Sequence, residues 1–370
     1  MPPRPEEFHY PCEACGADLR FAPGQSQLVC DHCGHAQAIP AATGRGRAGG
    51  LHELDLERAL ARALPLSDTE DIRSTTCPNC GALIEVTGAE HAHECPFCAT
   101  PVVLDTGTQR LIKPQGLVPF ALTEPEARAA LGAWLGRLWF APNGLLDYSR
   151  RGRRMTGVYS PFWTFDAATR SAYQGQRGDA YYETQSVMVR VDGRMERRQQ
   201  QVRKIRWSRA SGRVARAFDD VLVLASRALP RRYTDALQPW DLSALVPYRP
   251  DYLAGFTAEG YTVELPEAHG QAREIMANVI ATDVRRAIGG DEQRIERIET
   301  QHSAETCKHI LLPIWTAAYR YGGKSYRFVV NGQTGKVQGE RPWSAVKIAI
   351  AVVLAAALIG LGIWLGEQGR

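Results

Sequence analysis

A multidomain chain is expected from three features of the sequence. Eight cysteines form four Cys-x-x-Cys pairs within the first 98 residues, a long middle region mixes strand and helix patterns, and an uncharged apolar run lies near the C-terminus. Together they predict two small β zinc ribbons, an α+β region with a mainly antiparallel sheet, and one C-terminal transmembrane helix. With 370 residues the chain can build two or three folded units and at least one sizeable core.

The cysteines come first. One set is Cys12, Cys15, Cys30 and Cys33; the other is Cys77, Cys80, Cys95 and Cys98. The two sets are offset by 65 residues at every position, with 14 residues between the pairs of each set. This is an internal repeat, and Cys15-Gly16-Ala17 recurs as Cys80-Gly81-Ala82. A Cys-x-x-Cys turn holds two thiolates on one side of a tight knuckle. Two knuckles joined by a hairpin complete a tetrahedral sulfur shell with bonds of about 2.3 Å. Soft thiolates favour zinc over magnesium or calcium. A unit this small buries too little apolar surface to fold alone, so two structural Zn²⁺ ions are expected to supply much of its folding energy. His32, His35, His91 and His93 lie nearby, but four thiolates already fill each site.

The first residues show no apolar core of a secretion signal, so the thiols, spaced for metal, are expected to face a reducing compartment. The predicted units are ribbon 1 at 8–40, a linker with a short helix at 41–72, ribbon 2 at 73–104, an α+β domain at 111–340 and a transmembrane helix at 346–366. Within the linker, Leu51 to Leu64 carries an apolar helical face.

In the middle region, Thr123 is placed to cap a helix that begins at Glu124-Pro125, with Leu131, Trp134, Leu135, Leu138 and Trp139 on one stripe. A second helix is expected over about Gln271 to Ile288, stopped by Gly289-Gly290. Ser160-Pro161-Phe162-Trp163-Thr164 and Leu312-Pro313-Ile314-Trp315-Thr316 echo each other, each leading into alternating strand sequence. Tyr319 to Val330 reads as a hairpin about Gly322-Gly323.

No catalytic motif appears, and the chain is not expected to be an enzyme. Gly322-Gly323-Lys324-Ser325 lacks the first glycine of a phosphate loop, since position 318 is Ala318. Cys307 is the unpaired ninth cysteine, with His309 beside it.

Charge is weak overall, +4, but unevenly spread. Arg194 to Arg216 holds nine Lys and Arg against Glu196, a local charge of +8. Arg203, Lys204, Arg206 and Arg209 are its candidate contacts for anionic lipid or nucleic acid, and a solvated strand face is the plain alternative. The ribbons are acidic. Ribbon 2 from Cys77 to Pro101 has no Lys or Arg against Glu85, Glu90 and Glu94, so protein partners suit it better than phosphates.

Ile348 to Leu365 is an 18-residue run without a charged side chain, about 27 Å long as a helix. Trp343 and Trp364 flank it, and Lys336, Arg341 and Lys347 precede it. A single-pass protein of the inner membrane is therefore expected, contacting lipid through this helix and keeping its N-terminal domains in the cytoplasm.

The double ribbon, Pro161-Phe-Trp-Thr-Phe-Asp166, Leu311-Leu-Pro-Ile-Trp315 and Asn331-Gly-Gln-Thr-Gly335 occur here in order. With the terminal helix, they resemble a bacterial family of membrane-anchored TFIIB-type double zinc-ribbon proteins, often labelled primosomal protein N′ or replication factor Y-like. Some relatives are linked with phage-shock-type and flotillin-like (SPFH) proteins. The resemblance implies an adaptor or scaffold that recruits proteins at the cytoplasmic face of the inner membrane. The borrowed label leaves nucleic-acid binding as the alternative.

Overall fold

The computed structural model of the chain describes residues 10–40, 51–85, 92–103, 107–138, 140, 155–191, 194–321, 324–340 and 343–368. Period-two alternation governs the middle of the chain. From Ala167 to Gly175 every odd residue is buried and every even one exposed, which marks a strand with one covered face.

Ribbon 1 forms a three-stranded antiparallel sheet of β1 (Leu19–Phe21), β2 (Gln27–Cys30) and β3 (Ala36–Ala38). Then follow β4 (Leu54–Asp55), α1 (Leu56–Leu60), β5 (Thr69–Thr76) and β6 (Leu83–Glu85). The hairpin of β7 (Ala92–Glu94) and β8 (Pro101–Val103) leads to β9 (Gly107–Ile112), β10 (Gly116–Leu117) and α2 (Glu124–Gly136). Three very long strands dominate the rest: β11 (Thr156–Val191), β12 (Arg194–Leu224) and, later, β15. Before the last of these lie α3 (Arg231–Ala236), β13 (Val246–Pro247), β14 (Thr257–Gly260) and α4 (Leu265–Ile288). The chain continues through β15 (Glu292–Tyr321), β16 (Lys324–Asn331) and β17 (Val337–Gly339), and closes with α5 (Ala345–Gln368).

Twelve strands share one mixed sheet. Length is what permits this, because one long strand serves successive neighbours along the same edge. One edge of β11 pairs with β14 at Val158 and Tyr159, then with β12 from Phe162 to Val191. Its other edge pairs antiparallel with β15 from Thr156 to Gly178. β15 in turn meets β4, β10 and β16 along its far side. The two echoing segments are partners, with Ser160 opposite Leu312 and Tyr159 opposite Pro313.

The fold expectation needs correcting. The chain is mostly β, and strands of the second ribbon belong to the large sheet while ribbon 1 keeps a sheet of its own. β5 and β6 of ribbon 2 enter the large sheet through β14, and β4, from the segment expected to be linker, pairs with β15. The sheet is mixed because β10–β15 and β11–β14 are parallel. Backbone groups at an open edge take whichever partner satisfies them, and sequence patterns do not say which.

The terminal helix forms, but the expected membrane span is not supported. Among the described residues no helix is long and apolar enough to cross a membrane. Lipid contact through this helix, and with it the expected single-pass inner-membrane placement with a cytoplasmic N-terminal part, lose their basis.

The other helices follow their signals more closely. Thr123 caps α2 through a capping box in which its backbone N–H donates to the Glu126 carboxylate at 2.8 Å. Leu131 and Leu135 are buried, whereas Trp139 and the 41–50 linker lie outside the described residues. α4 starts six residues before the expected Gln271, because Pro266 suits a first turn, and it ends at Gly289 with φ +66°. Its buried Ile280, Val284 and Ile288 pack on Tyr173. In place of the helix expected at 51–64, only α1 forms, since Leu54 is drawn into pairing with Cys307.

Candidate metal centres

Each cysteine knuckle is made by the same local turn. The N–H of the residue after the second cysteine donates to the carbonyl of the first: Gly16 to Cys12 at 2.8 Å, Gly34 to Cys30 at 2.9 Å, Gly81 to Cys77 at 2.9 Å and Ala99 to Cys95 at 2.8 Å. That residue has left-handed backbone, φ +75°, +75°, +73° and +56° respectively. Glycine fits there without a Cβ penalty, and Ala99 is the strained member. The Cys-Gly step was therefore a readable part of the repeat, beyond the cysteines themselves.

The turns bring each set of four together. Within each tetrad the sulfurs all lie within 4.8 Å of one another. Cys12 and Cys33 are 3.5 Å apart, Cys15 and Cys30 3.5 Å, Cys77 and Cys98 3.6 Å, and Cys80 and Cys95 3.6 Å. A tetrahedral ion with bonds of about 2.3 Å sets its sulfurs about 3.8 Å apart. All nine cysteines are free thiols, so the tetrads fit two structural zinc ions. Thr100 Oγ1 lies 3.2 Å from Cys98 Sγ, placed to donate to a thiolate, and itself accepts from Asn79 at 3.0 Å. His91 and His93 carry no described side chains, and neither tetrad includes a histidine.

The two sites differ in burial. In ribbon 1, Cys12 and Cys30 are buried while Cys15 and Cys33 are exposed. Its inner side docks on the sheet through Phe21, edge-on to Tyr252 at 5.2 Å, with the Phe21 N–H donating to the Ala254 carbonyl at 2.9 Å. In ribbon 2, Cys77, Cys95 and Cys98 are all buried. They share a core with Phe97, Val158, Phe162 and Ile310, and the Thr316 hydroxyl donates to the Pro96 carbonyl at 2.9 Å. Ribbon 2 is built into the protein; ribbon 1 sits on it.

The basic candidates divide between two faces of the β11–β12 hairpin. Lys204 pairs with Glu183, and the Arg206 guanidinium stands 5.2 Å from the Tyr181 ring. On the other face Arg203 bonds Glu292 at 2.9 Å, while Arg209 is exposed with no acidic partner among the described residues. Arg194 pairs in β12 opposite Val191, but its side chain lies outside the described set.

With this geometry, comparison with known proteins is informative in one respect. The chain is similar to the uncharacterized protein YdjG of Bacillus subtilis. The two are 26% identical over 350 residues, which is 92% of this chain and 92% of the relative. The similarity thus spans ribbons and sheet together. No family model matches the chain, and no solved structure does.

Two further polar groups lie inside. Asp166, Asp219 and Asp220 bring carboxylates within 4.8 Å of one another, but the Lys308 ammonium already contacts two of them, Asp166 at 3.1 Å and Asp220 at 2.9 Å. Cys307 is fully buried, and burial pushes its thiol up to about 12, which keeps it protonated and unreactive. His309 does not activate it: Nδ1 donates to the Ile112 carbonyl at 2.8 Å, and Nε2 has no hydrogen-bond partner.

Proposed function

We propose that the chain is a zinc-ribbon adaptor in which ribbon 1 presents the partner-binding surface and ribbon 2 holds the fold together. The observation that carries this reading is the unequal burial of two repeats with the same spacing. Cys15 and Cys33 stand at the surface, flanked by Glu13 and by an Asp31 that is paired with Arg20 at 2.9 Å. An exposed, metal-rigidified knuckle offers backbone and carboxylate groups at little ordering cost to a protein partner. Its acidic character disfavours phosphate. The ordered motifs support placing the chain with the TFIIB-type double zinc-ribbon proteins, and through them with scaffolds of phage-shock or SPFH-type assemblies.

The test is quantitative affinity capture with the full chain from its own host. Partners are expected to be retained by the wild type and lost by a Glu13→Lys/Asp31→Lys variant that still binds two zinc ions. Capture of the same proteins by both would overturn the reading.

A further inference from the structure

The upper part of the β11–β12–β15 blade is covered on one face only. Tyr173, Val214 and Ile298 face α4, and the cross-strand register sets the neighbouring residues on the opposite face. There Arg209 lies opposite Gln176, Arg213 opposite Ala172, Arg170 opposite Ala215, and Arg297 opposite Gln174. All four arginines are exposed. Arg297 pairs with Glu299, whereas Arg170, Arg209 and Arg213 have no acidic partner among the described residues.

The composition of this face selects its occupant. Between the arginines stand Gln174, Gln176, Ser211 and the small Ala172, with the carboxylates of this face taken up by Gln176 (Glu296, 2.6 Å) and Arg297 (Glu299). The indole of Trp207 lies under the guanidinium of Arg294, 3.9 Å from ring centre to Cζ. Protein interfaces are centred on large apolar anchors; none stands between Arg170, Arg209 and Arg213, and Trp207, further along this face, is covered by Arg294. Unpaired arginine among glutamine and serine instead matches a row of phosphate oxygens. Arg209 and Arg213, four residues apart, are separated by about 13 Å along the strand. Beyond Gly178, where β15 ends its pairing, the hairpin runs on as two strands to Val191, an arm of about 43 Å. A two-stranded ribbon is the width that a duplex major groove admits.

We propose that this helix-free face binds the phosphate backbone of a nucleic-acid duplex, with Arg170, Arg209 and Arg213 as its principal contacts. The inference goes beyond the adaptor reading and uses no residue of the ribbons. Fluorescence anisotropy of the full chain with a mixed-sequence 24-base-pair DNA duplex tests it. The wild type is expected to bind with Kd below about 10 μM at 100 mM salt, weakening steeply as salt rises. Arg170→Gln/Arg209→Gln/Arg213→Gln is expected to bind about tenfold or more weakly, with the log–log salt slope reduced by about 2–3. Lys204→Gln/Arg206→Gln, on the opposite face, where Lys204 is paired with Glu183 and Arg206 stands over the Tyr181 ring, is expected to stay within about twofold of wild type. No wild-type binding, an unaffected triple variant, or an equal loss in the control would overturn the proposal. So would sedimentation showing that the triple variant abolishes self-association that duplex does not compete with, because the face would then hold a second copy.

Discussion

Lys308 Nζ lies 3.1 Å from Asp166 Oδ2, and the lysine side chain is only 7% exposed. The same ammonium reaches Asp220 at 2.9 Å and Glu53 at 3.1 Å. One cation thereby joins β15, β11, the end of β12 and the segment that leads into β4. Burial alone would lower the lysine, but its bonds to Asp220 and Asp166 carry it above its ordinary value.

Removing that cation leaves buried carboxylates without a partner. Lys308→Met is expected to destabilise the chain by about 3–5 kcal/mol, measured as a shift in the urea midpoint. Lys308→Met/Asp166→Asn is expected to recover part of the loss. Equal midpoints for the two variants would show that the pair does not couple.

The two metal centres are expected to fail differently. Cys77→Ser removes a ligand inside the core, so zinc content falls from two to one and hydrogen exchange rises across β5, β6 and β14. Cys15→Ser also loses one zinc, but faster exchange is confined to residues 10–40. Ala99→Gly, which relieves the left-handed strain, is expected to raise stability by about 1 kcal/mol.

His309 makes stability depend on pH. Burial lowers its imidazole to about 4, whereas in the unfolded chain it titrates near about 6.5. As pH falls from 6.5 towards 4, the unfolded state takes up a proton that the folded state refuses, so stability drops through that window. The full effect is about 3 kcal/mol. The difference in unfolding free energy between wild type and His309→Gln, followed from pH 7 to pH 4, isolates this change from acid release of zinc. A constant difference would rule it out.

The cysteine spacing by itself determined both metal centres, because ligand geometry is a local matter of two tight turns and a hairpin. Thr123, Gly289 and the paired Pro-Trp segments were likewise legible, since capping and alternation act over a few residues. What only the tertiary structure decided is which surface each element meets. Repeats of the same spacing end with Cys98 buried and its counterpart Cys33 exposed, since β6 finds an open edge at β14 whereas ribbon 1 keeps its own sheet and docks through Phe21, Gly24 and Pro40. An uncharged run suggested a span that the described helix does not support, and a basic run of +8 divided between two faces, with Lys204 paired to Glu183 on one and Arg203 paired to Glu292 on the other, beside an Arg209 with no acidic partner among the described residues. Strand register and edge pairing depend on residues more than a hundred positions apart, as between Ser160 and Leu312. A single sequence carries the propensity to pair but not the partner.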